Sequence, residues 1–216
     1  MLTELVPEGE PVRADDINRA VLLINDLPGI GAAARFEPGE SPGSSHVLLS
    51  VQEGPLWGGN GSLTNTGNRS TGRTRSTVQA RLNDPGGRGE QFQFGATRTK
   101  GLDYLNFGYS QPLGYNGLVG SLEYARLHYD IVSGEGSDSD ISGKAAAYRA
   151  SVEYPLLRSR RMNLWLGFDL ERENLKDTVE SETISDRHVD VASLPLTFVR
   201  SDAWRGGGRN TVRLTP

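Results

Sequence analysis

Met162-Asn163-Leu164-Trp165-Leu166-Gly167-Phe168-Asp169-Leu170 carries the clearest architectural signal in the sequence. Its even positions are all apolar, with Asn163, Trp165, Gly167 and Asp169 interleaved. Side chains on a strand alternate faces with period two, so this segment has one greasy face and one mostly polar face. Tyr148 to Tyr154 repeats the pattern, with Tyr148, Ala150, Val152 and Tyr154 on one side and Arg149, Ser151 and Glu153 on the other. A wall between lipid and a water-filled lumen demands that division. A slip of one residue turns Arg149 to lipid at a cost of roughly 2–4 kcal/mol at the bilayer midplane, so the register is strongly specified.

The pattern extends both ways. Strands are expected at 56–65, 74–83, 89–99, 103–112, 117–130, 144–155, 161–173 and 188–200, with a last one starting near Arg209. Asp84-Pro85-Gly86-Gly87, Pro112 to Gly117 and Pro155 to Arg160 read as compact turns, whereas Val132 to Gly143 and Asn174 to Arg187 read as longer polar loops. Short turns on one side and long loops on the other are the habit of outer-membrane barrels, with the long loops outside. The expected fold class is therefore mainly β: a partial antiparallel transmembrane β-barrel of about eight or nine strands. Two places resist the scheme. Between 117 and 130 the apolar positions begin on Leu118, Leu122 and Tyr124 but finish on Leu127 and Tyr129, which needs a bulge or a rise above the bilayer. Pro195 lacks a ladder donor and marks an edge or an irregularity.

Residues 14–27 differ. Ile17, Ala20, Val21, Ile24 and Leu27 share one helical face, Asp15 or Asp16 can cap the start, and Pro28-Gly29 ends the helix. Ile30, Ala32, Ala34 and Phe36 then alternate, as do Val47, Leu49 and Val51, across a segment rich in Pro, Gly and Ser. Helix, strand, turn, strand makes a small α+β unit ending near Glu53.

Composition narrows the function classes. The 216 residues contain no Cys, carry a formal net charge of −4 and have a mean hydropathy of −0.46. No apolar run approaches the roughly 20 residues of a membrane-spanning helix, and a barrel strand turns only every second residue to lipid. The charge provides no basic field for nucleic acid. The segment after Met1 lacks the charged and apolar regions of a signal peptide, so a soluble protein or a missing N-terminus is expected. His46, His128 and His188 sit in separate segments without metal spacing or a nucleophile elbow. Gly29-x-Gly31-x-x-Ala34 follows a helix and opens a strand, the wrong context for a dinucleotide fingerprint. Gly136-Ser137-Asp138-Ser139-Asp140 lacks the sixth-position Gly and closing Glu of a calcium loop. No catalytic residue, metal site or cofactor is expected.

Leu22-Leu23-Ile24-Asn25-Asp26-Leu27-Pro28-Gly29-Ile30, Pro38-Gly39 through Pro42-Gly43-Ser44-Ser45, Asn65 to Arg73, Leu82-Asn83-Asp84-Pro85 and Gln111-Pro112-Leu113-Gly114-Tyr115-Asn116-Gly117 occur in that order. Together they resemble the two-partner secretion transporters of the outer membrane, the ShlB/FhaC/HecB haemolysin secretion/activation (TpsB) family. The resemblance implies that residues 1–53 are the C-terminal part of a periplasmic POTRA domain and 54–216 the N-terminal half of a sixteen-stranded barrel. It implies a fragment, without the signal peptide, plug helix, first POTRA domain or later strands of a complete member. It also implies a non-enzymatic exporter in the outer membrane, with its N-terminal segment in the periplasm. The partners implied are membrane lipid and a large secreted exoprotein whose N-terminal secretion domain is bound by POTRA.

A POTRA groove between a helix and a strand edge takes an extended peptide by β-augmentation. The candidates are Asn18, Val21, Leu22 and Asn25 on the helix, and a strand edge at 31–36 or at 47–51 with Val47 and Leu49. The alternative is that the apolar members are simply core. For the pore, Arg81, Glu123, Arg149, Glu153, Asp169 and Glu171 line a hydrated lumen of mixed charge, or some of them pair as structural salt bridges. Tyr109, Tyr115, Tyr154 and Trp204 lie near the short turns, as an interfacial girdle would. Two rival readings remain: a BamA/TamA-like assembly factor, and a soluble all-β carbohydrate-binding or enzymatic domain.

Overall fold

The computed structural model describes residues 13–40, 45–134, 139–202 and 207–216. Helix α1 (Ala14–Asn25) is followed by the antiparallel hairpin of β1 (Ile30–Pro38) and β2 (Ser45–Glu53). Arg13 occupies the N-cap without a side-chain bond, so the expected cap at Asp15 or Asp16 is corrected. Both carboxylates sit in the first turn instead, where they face the positive end of the helix dipole. Gly29 leaves the helix with φ +73°.

A second sheet holds β3 (Trp57–Thr64), β4 (Arg75–Asn83), β5 (Gln91–Arg98), β6 (Leu102–Pro112), β7 (Val119–Asp130), β8 (Ile141–Arg158), β9 (Met162–Val179), β10 (Glu182–Ser193), β11 (Leu196–Asp202) and β12 (Gly208–Leu214). Every pairing is antiparallel, and neighbours in sequence are neighbours in the sheet except around β9. There β10 pairs the far half of β9 and β11 the near half, interrupted at Leu194-Pro195. The strand expected at 188–200 is thus two pieces on one course. Pro195 is the break, although its carbonyl still accepts the Gly167 N–H at 2.8 Å.

Three sequence expectations need correction. First, Asn174 to Arg187 is not a loop. β8 and β9 each run 18 residues, and β9 turns into β10 at Glu180-Ser181, both with positive φ. At roughly 3.4 Å per residue such a hairpin is about 60 Å long, well beyond the roughly 25 Å apolar band of a barrel wall. Length at this end is carried by strand as well as by loop. Second, of the two readings of 117–130 the bulge is absent, since β7 pairs both neighbours without a register shift, and the rise beyond the apolar band is the one left. Leu127 and Tyr129 lie on the polar face, and Arg126 and His128 on the other. The irregularities fall at Pro155/Leu157 and Thr183/Ser185. Third, short links are not confined to one end: residues 99–101 join β5 to β6 at the long-loop end.

The register puts whole rows of side chains on one face. Leu82, Phe92, Tyr109, Leu122, Ala150 and Leu170 form one row, and Ala80, Phe94, Phe107, Tyr124 and Tyr148 the next. Nothing covers this face among the described residues: Leu122 is 58% exposed and Leu170 48%. Among the described residues the buried apolar side chains are Ile17, Ala20, Leu23 and Ile24 of α1, plus Val199. A soluble sandwich would bury its apolar face under a second layer, so that rival has no structural counterpart here.

The lower margin of the apolar face descends from Tyr109 on β6 to Phe198 on β11, three pairing rows over four strand spacings. That is about 20 Å along the strands against about 19 Å across them. A level bilayer therefore requires strands tilted by about 45°, as in a transmembrane barrel.

Candidate functional site

The face opposite the apolar one is mostly polar, with Leu127 and Tyr129 near its far end. Arg81, Gln93, Gly108, Glu123, Arg149 and Glu171 form one continuous row from β4 to β9. The next row is Asn83, Gln91, Ser110, Ser121, Ser151 and Asp169. Glu153 shares the face, two residues beyond Ser151. All six charged residues expected to face a lumen thus lie on one side of one sheet. Some pair with each other: Arg149 donates to Glu171 Oε2 from Nη2 at 2.6 Å and from Nε at 3.2 Å, and its Nη1 lies 3.9 Å from Glu123. The salt bridges are thus made by residues expected at the lumen. Between the charges stand Gln and Ser side chains and Gly108, which sequence reasoning passed over because small and neutral polar residues carry no signal of their own. A groove of about 480 Å³ runs over this surface, lined among others by Gln93, Asn106, Glu123, Arg149 and Glu171.

On the apolar face, Tyr109 stacks at 4.8 Å from Phe92, and Tyr154 lies in the row of Leu166 and Leu196. Tyr115 is in the β6–β7 turn. Trp204 lies outside the described residues, as do Gly136 to Asp138. Trp57, 75% exposed in the row of Leu82 and Phe92, is an aromatic the sequence reading missed.

Helix α1 joins the two sheets through the short turns. Leu27 packs at Gly89 in the β4–β5 turn and Leu23 at Gly117 in the β6–β7 turn. At the base of β8, Arg19 Nη2 donates to the Pro155 carbonyl at 3.0 Å. Beside it Arg158 grips Asp26 with Nε at 2.8 Å and Nη2 at 2.7 Å. Gly89 (φ +76°) and Gly117 (φ +91°) have backbones that a side chain would strain, and a Cβ would also collide with Leu27 at the first and Leu23 at the second. Leu27 of the Asn-Asp-Leu-Pro-Gly element thus meets the β4–β5 turn, and the Pro-Leu-Gly-Tyr-Asn-Gly turn meets Leu23, one helical turn earlier.

The β4–β5 turn is held by carboxylates. Glu90 Oε1 accepts the Gly86 N–H at 2.5 Å, its Oε2 accepts the Arg88 N–H at 3.0 Å, and Asp84 Oδ1 accepts the Gly89 N–H at 2.7 Å. The backbone N–H of Glu90 itself, then those of Gly86 and Arg88, hold the Glu90 carboxyl below its ordinary range against the opposing effect of burial.

Of the expected groove residues, Asn18, Val21 and Leu22 are half-buried and Asn25 is exposed. Asn25 is engaged: its Oδ1 accepts the Ala32 N–H and its Nδ2 donates to the Ala32 carbonyl, both at 2.8 Å. It occupies the β1 edge at that residue as a neighbouring strand would. Val47 and Leu49 are half-buried opposite Phe36 and Ala34, and Phe36 is 50% exposed. Among the described residues no three of His, Asp and Glu are placed to hold a metal ion.

Residues 43–213 match the family model of the haemolysin secretion/activation protein ShlB/FhaC/HecB. The chain belongs to this family. Among curated ShlB-type relatives, the heme/hemopexin transporter protein HuxB of Haemophilus influenzae strain 86-028NP is 24% identical over 186 residues, covering 84% of this chain and 32% of HuxB. The outer membrane transporter CdiB-2 of Burkholderia pseudomallei strain 1026b is 25% identical over 195 residues, covering 87% of this chain and 33% of CdiB-2. The chain thus spans about a third of the length of these curated relatives. The structure of CdiB from Escherichia coli superposes on 99% of this chain and 41% of that one, with a TM-score of 0.77 at 20% identity. This likeness is one of fold, and it identifies the ten-stranded sheet as a stretch of barrel wall.

Proposed function

We propose that this chain is part of an outer-membrane transporter that exports a large exoprotein by two-partner secretion. The observation that carries the reading is the division of one sheet into an exposed apolar face and a continuous polar face, in a chain of the ShlB/FhaC/HecB family. Residues 1–53 act as the end of a periplasmic POTRA domain and residues 54–216 as barrel wall. Arg81, Glu123, Arg149, Glu153, Asp169 and Glu171 line the conduit. Their pairing within the wall leaves an unfolding passenger with weak and numerous contacts rather than a trap, which is what conduction requires. The work is binding and passive passage, without catalysis or cofactor.

Exoprotein capture falls to the cleft between α1 and β1. Asn25 closes the edge of β1 at Ala32, so the edge open to an added strand is the one at Ala34 to Phe36, next to the half-buried Val47 and Leu49. Asn18, Val21 and Leu22 flank it, and Asn25 sets its end.

The test is to delete the locus and compare the proteins of the culture medium and the outer membrane by quantitative mass spectrometry. Loss of one large protein from the medium, with the outer membrane unchanged, is the expected outcome. A general depletion of outer-membrane barrels would instead mark an assembly factor of the BamA/TamA kind.

A further inference from the structure

Beyond the apolar band, at the end away from α1, the outward face carries cations that neither the conduit nor the helix junction uses. Lys144 on β8 stands directly opposite Lys176 on β9, and opposite His128 on its other side. Arg126 lies two residues before His128 on the same face, diagonal to Lys144. All three cationic residues are exposed. Like charges directly opposite each other destabilise a sheet, so this arrangement calls for an anion.

No carboxylate among the described residues forms an ion pair with the three. Asp103 pairs with Arg98 at 3.3 Å, Asp130 lies 3.4 Å from His128, and Asp190 is held by Arg172 at 2.6 Å. Asp186 is opposite Lys176 in the register, yet its carboxylate lies 3.9 Å from His188. Among the described residues, no carboxylate lies within 4.0 Å of the Arg126, Lys144 or Lys176 side-chain nitrogens. Just inward, a groove of about 710 Å³ has Val78, Ala96 and Leu105 on its apolar side and Arg126 and Lys144 at its rim, beside the Arg98–Asp103 pair. An apolar floor below a cationic rim fits a molecule with acyl chains and a phosphorylated head.

We propose that Arg126, Lys144 and Lys176 bind the phosphate groups of an outer-leaflet glycolipid whose acyl chains lie over Leu105 and Ala96. The inference rests on the sheet being outer-membrane barrel wall with this end outward. Lysine ammonium groups serve as point charges for phosphate and arginine as a fork, so the triad offers both modes within about two strand spacings, roughly 10 Å. Lysines that merely snorkel to the interface would need no such ligand.

The protein is produced from its own locus, extracted from the outer membrane and stripped of lipid in detergent. It is then titrated by native mass spectrometry with bis-phosphorylated lipid A, with dephosphorylated lipid A and with inorganic phosphate. Retention of the bis-phosphorylated form is expected to fall about thirtyfold in the Lys144→Gln/Lys176→Gln double variant. The dephosphorylated form should bind the parent no better than this variant binds lipid A, and inorganic phosphate at equal concentration should not displace the lipid. Equal retention by parent and double variant, equal binding of the dephosphorylated lipid, or displacement by phosphate overturns the site. A protein that never reaches the outer membrane overturns the barrel-wall reading as well, whereas a membrane-inserted protein indifferent to lipid A overturns only the glycolipid site.

Discussion

Arg158 and Asp26, 132 residues apart, are joined by two charge-assisted hydrogen bonds of 2.7 and 2.8 Å. The same guanidinium donates to Asn163 Oδ1 at 2.8 Å and lies 5.9 Å from the Trp165 ring centroid. It therefore anchors α1 and braces the β8–β9 turn at once. Because the Asp26 side chain is 43% exposed, solvent screens the pair, and Asp26→Asn should loosen the helix by only about 1 kcal/mol. Arg158→Ala should cost more, since it removes the Asn163 and Trp165 contacts too. Hydrogen exchange at the α1 amides reads both, and the exchanged pair Asp26→Arg/Arg158→Asp should recover part of the protection lost in either single variant.

Gly117 separates packing from backbone strain when set against Gly87. Both have positive φ, +91° and +72°. A Cβ at Gly117 would stand 2.6 Å from Leu23 Cδ2 and 2.7 Å from Pro155 Cγ, whereas a Cβ at Gly87 meets nothing within 4 Å. Gly87→Ala should cost about 1–2 kcal/mol, the penalty of a left-handed alanine. Gly117→Ala should cost that and also displace Leu23. Thermal unfolding of the two variants checks the order, and equal losses would remove the helix contact from the account.

Glu90 provides the pH dependence. Its folded-state pKa is depressed below the ordinary 4.5, so its stabilisation of the β4–β5 turn is fully present above that value and is lost as pH falls through the folded one. Glu90→Gln should therefore lower stability at neutral pH and make little difference in strong acid. Unfolding midpoints of parent and variant measured down a pH series should converge below pH 4.5.

The two faces of β9 make opposite demands on substitutions three residues apart. Leu166→Arg places a charge on the apolar face, at about 2–4 kcal/mol if it sits at the bilayer midplane, and should impair insertion. Asp169→Asn on the polar face should leave assembly intact. Heat-modifiable electrophoretic mobility of the membrane-extracted protein distinguishes folded from unfolded barrel in each case.

Period-two alternation made the wall legible in the sequence because burial on one face, and only one, leaves its mark residue by residue from Tyr148 to Leu170. The two faces at Arg149 and Glu171 followed from parity alone. The far ends of β8 and β9 did not, since outside the apolar band both faces are polar and Asn174 to Arg187 reads like a loop. Leu127 and Tyr129 misled for a related reason: they are apolar but inward, and the Tyr129 ring packs against Gly143 while its hydroxyl donates to Asp177 at 3.0 Å. Nothing local could disclose the Arg158 to Asp26 bridge, because its two partners belong to different sheets' surroundings and meet only in the folded chain. The turn glycines were the one available hint, and Gly117 is explained by the leucine that lies on it.

Nitroxide labels placed one at a time from Leu164 to Glu171, in the protein reconstituted into bilayers, report what each face of β9 meets. Positions 164, 166, 168 and 170 should collide with lipid-dissolved oxygen, and positions 165, 167, 169 and 171 with a water-soluble nickel chelate, in strict alternation. Uniform accessibility along the strand, or the chelate reaching the even positions, would contradict a wall with lipid on one side and a hydrated conduit on the other.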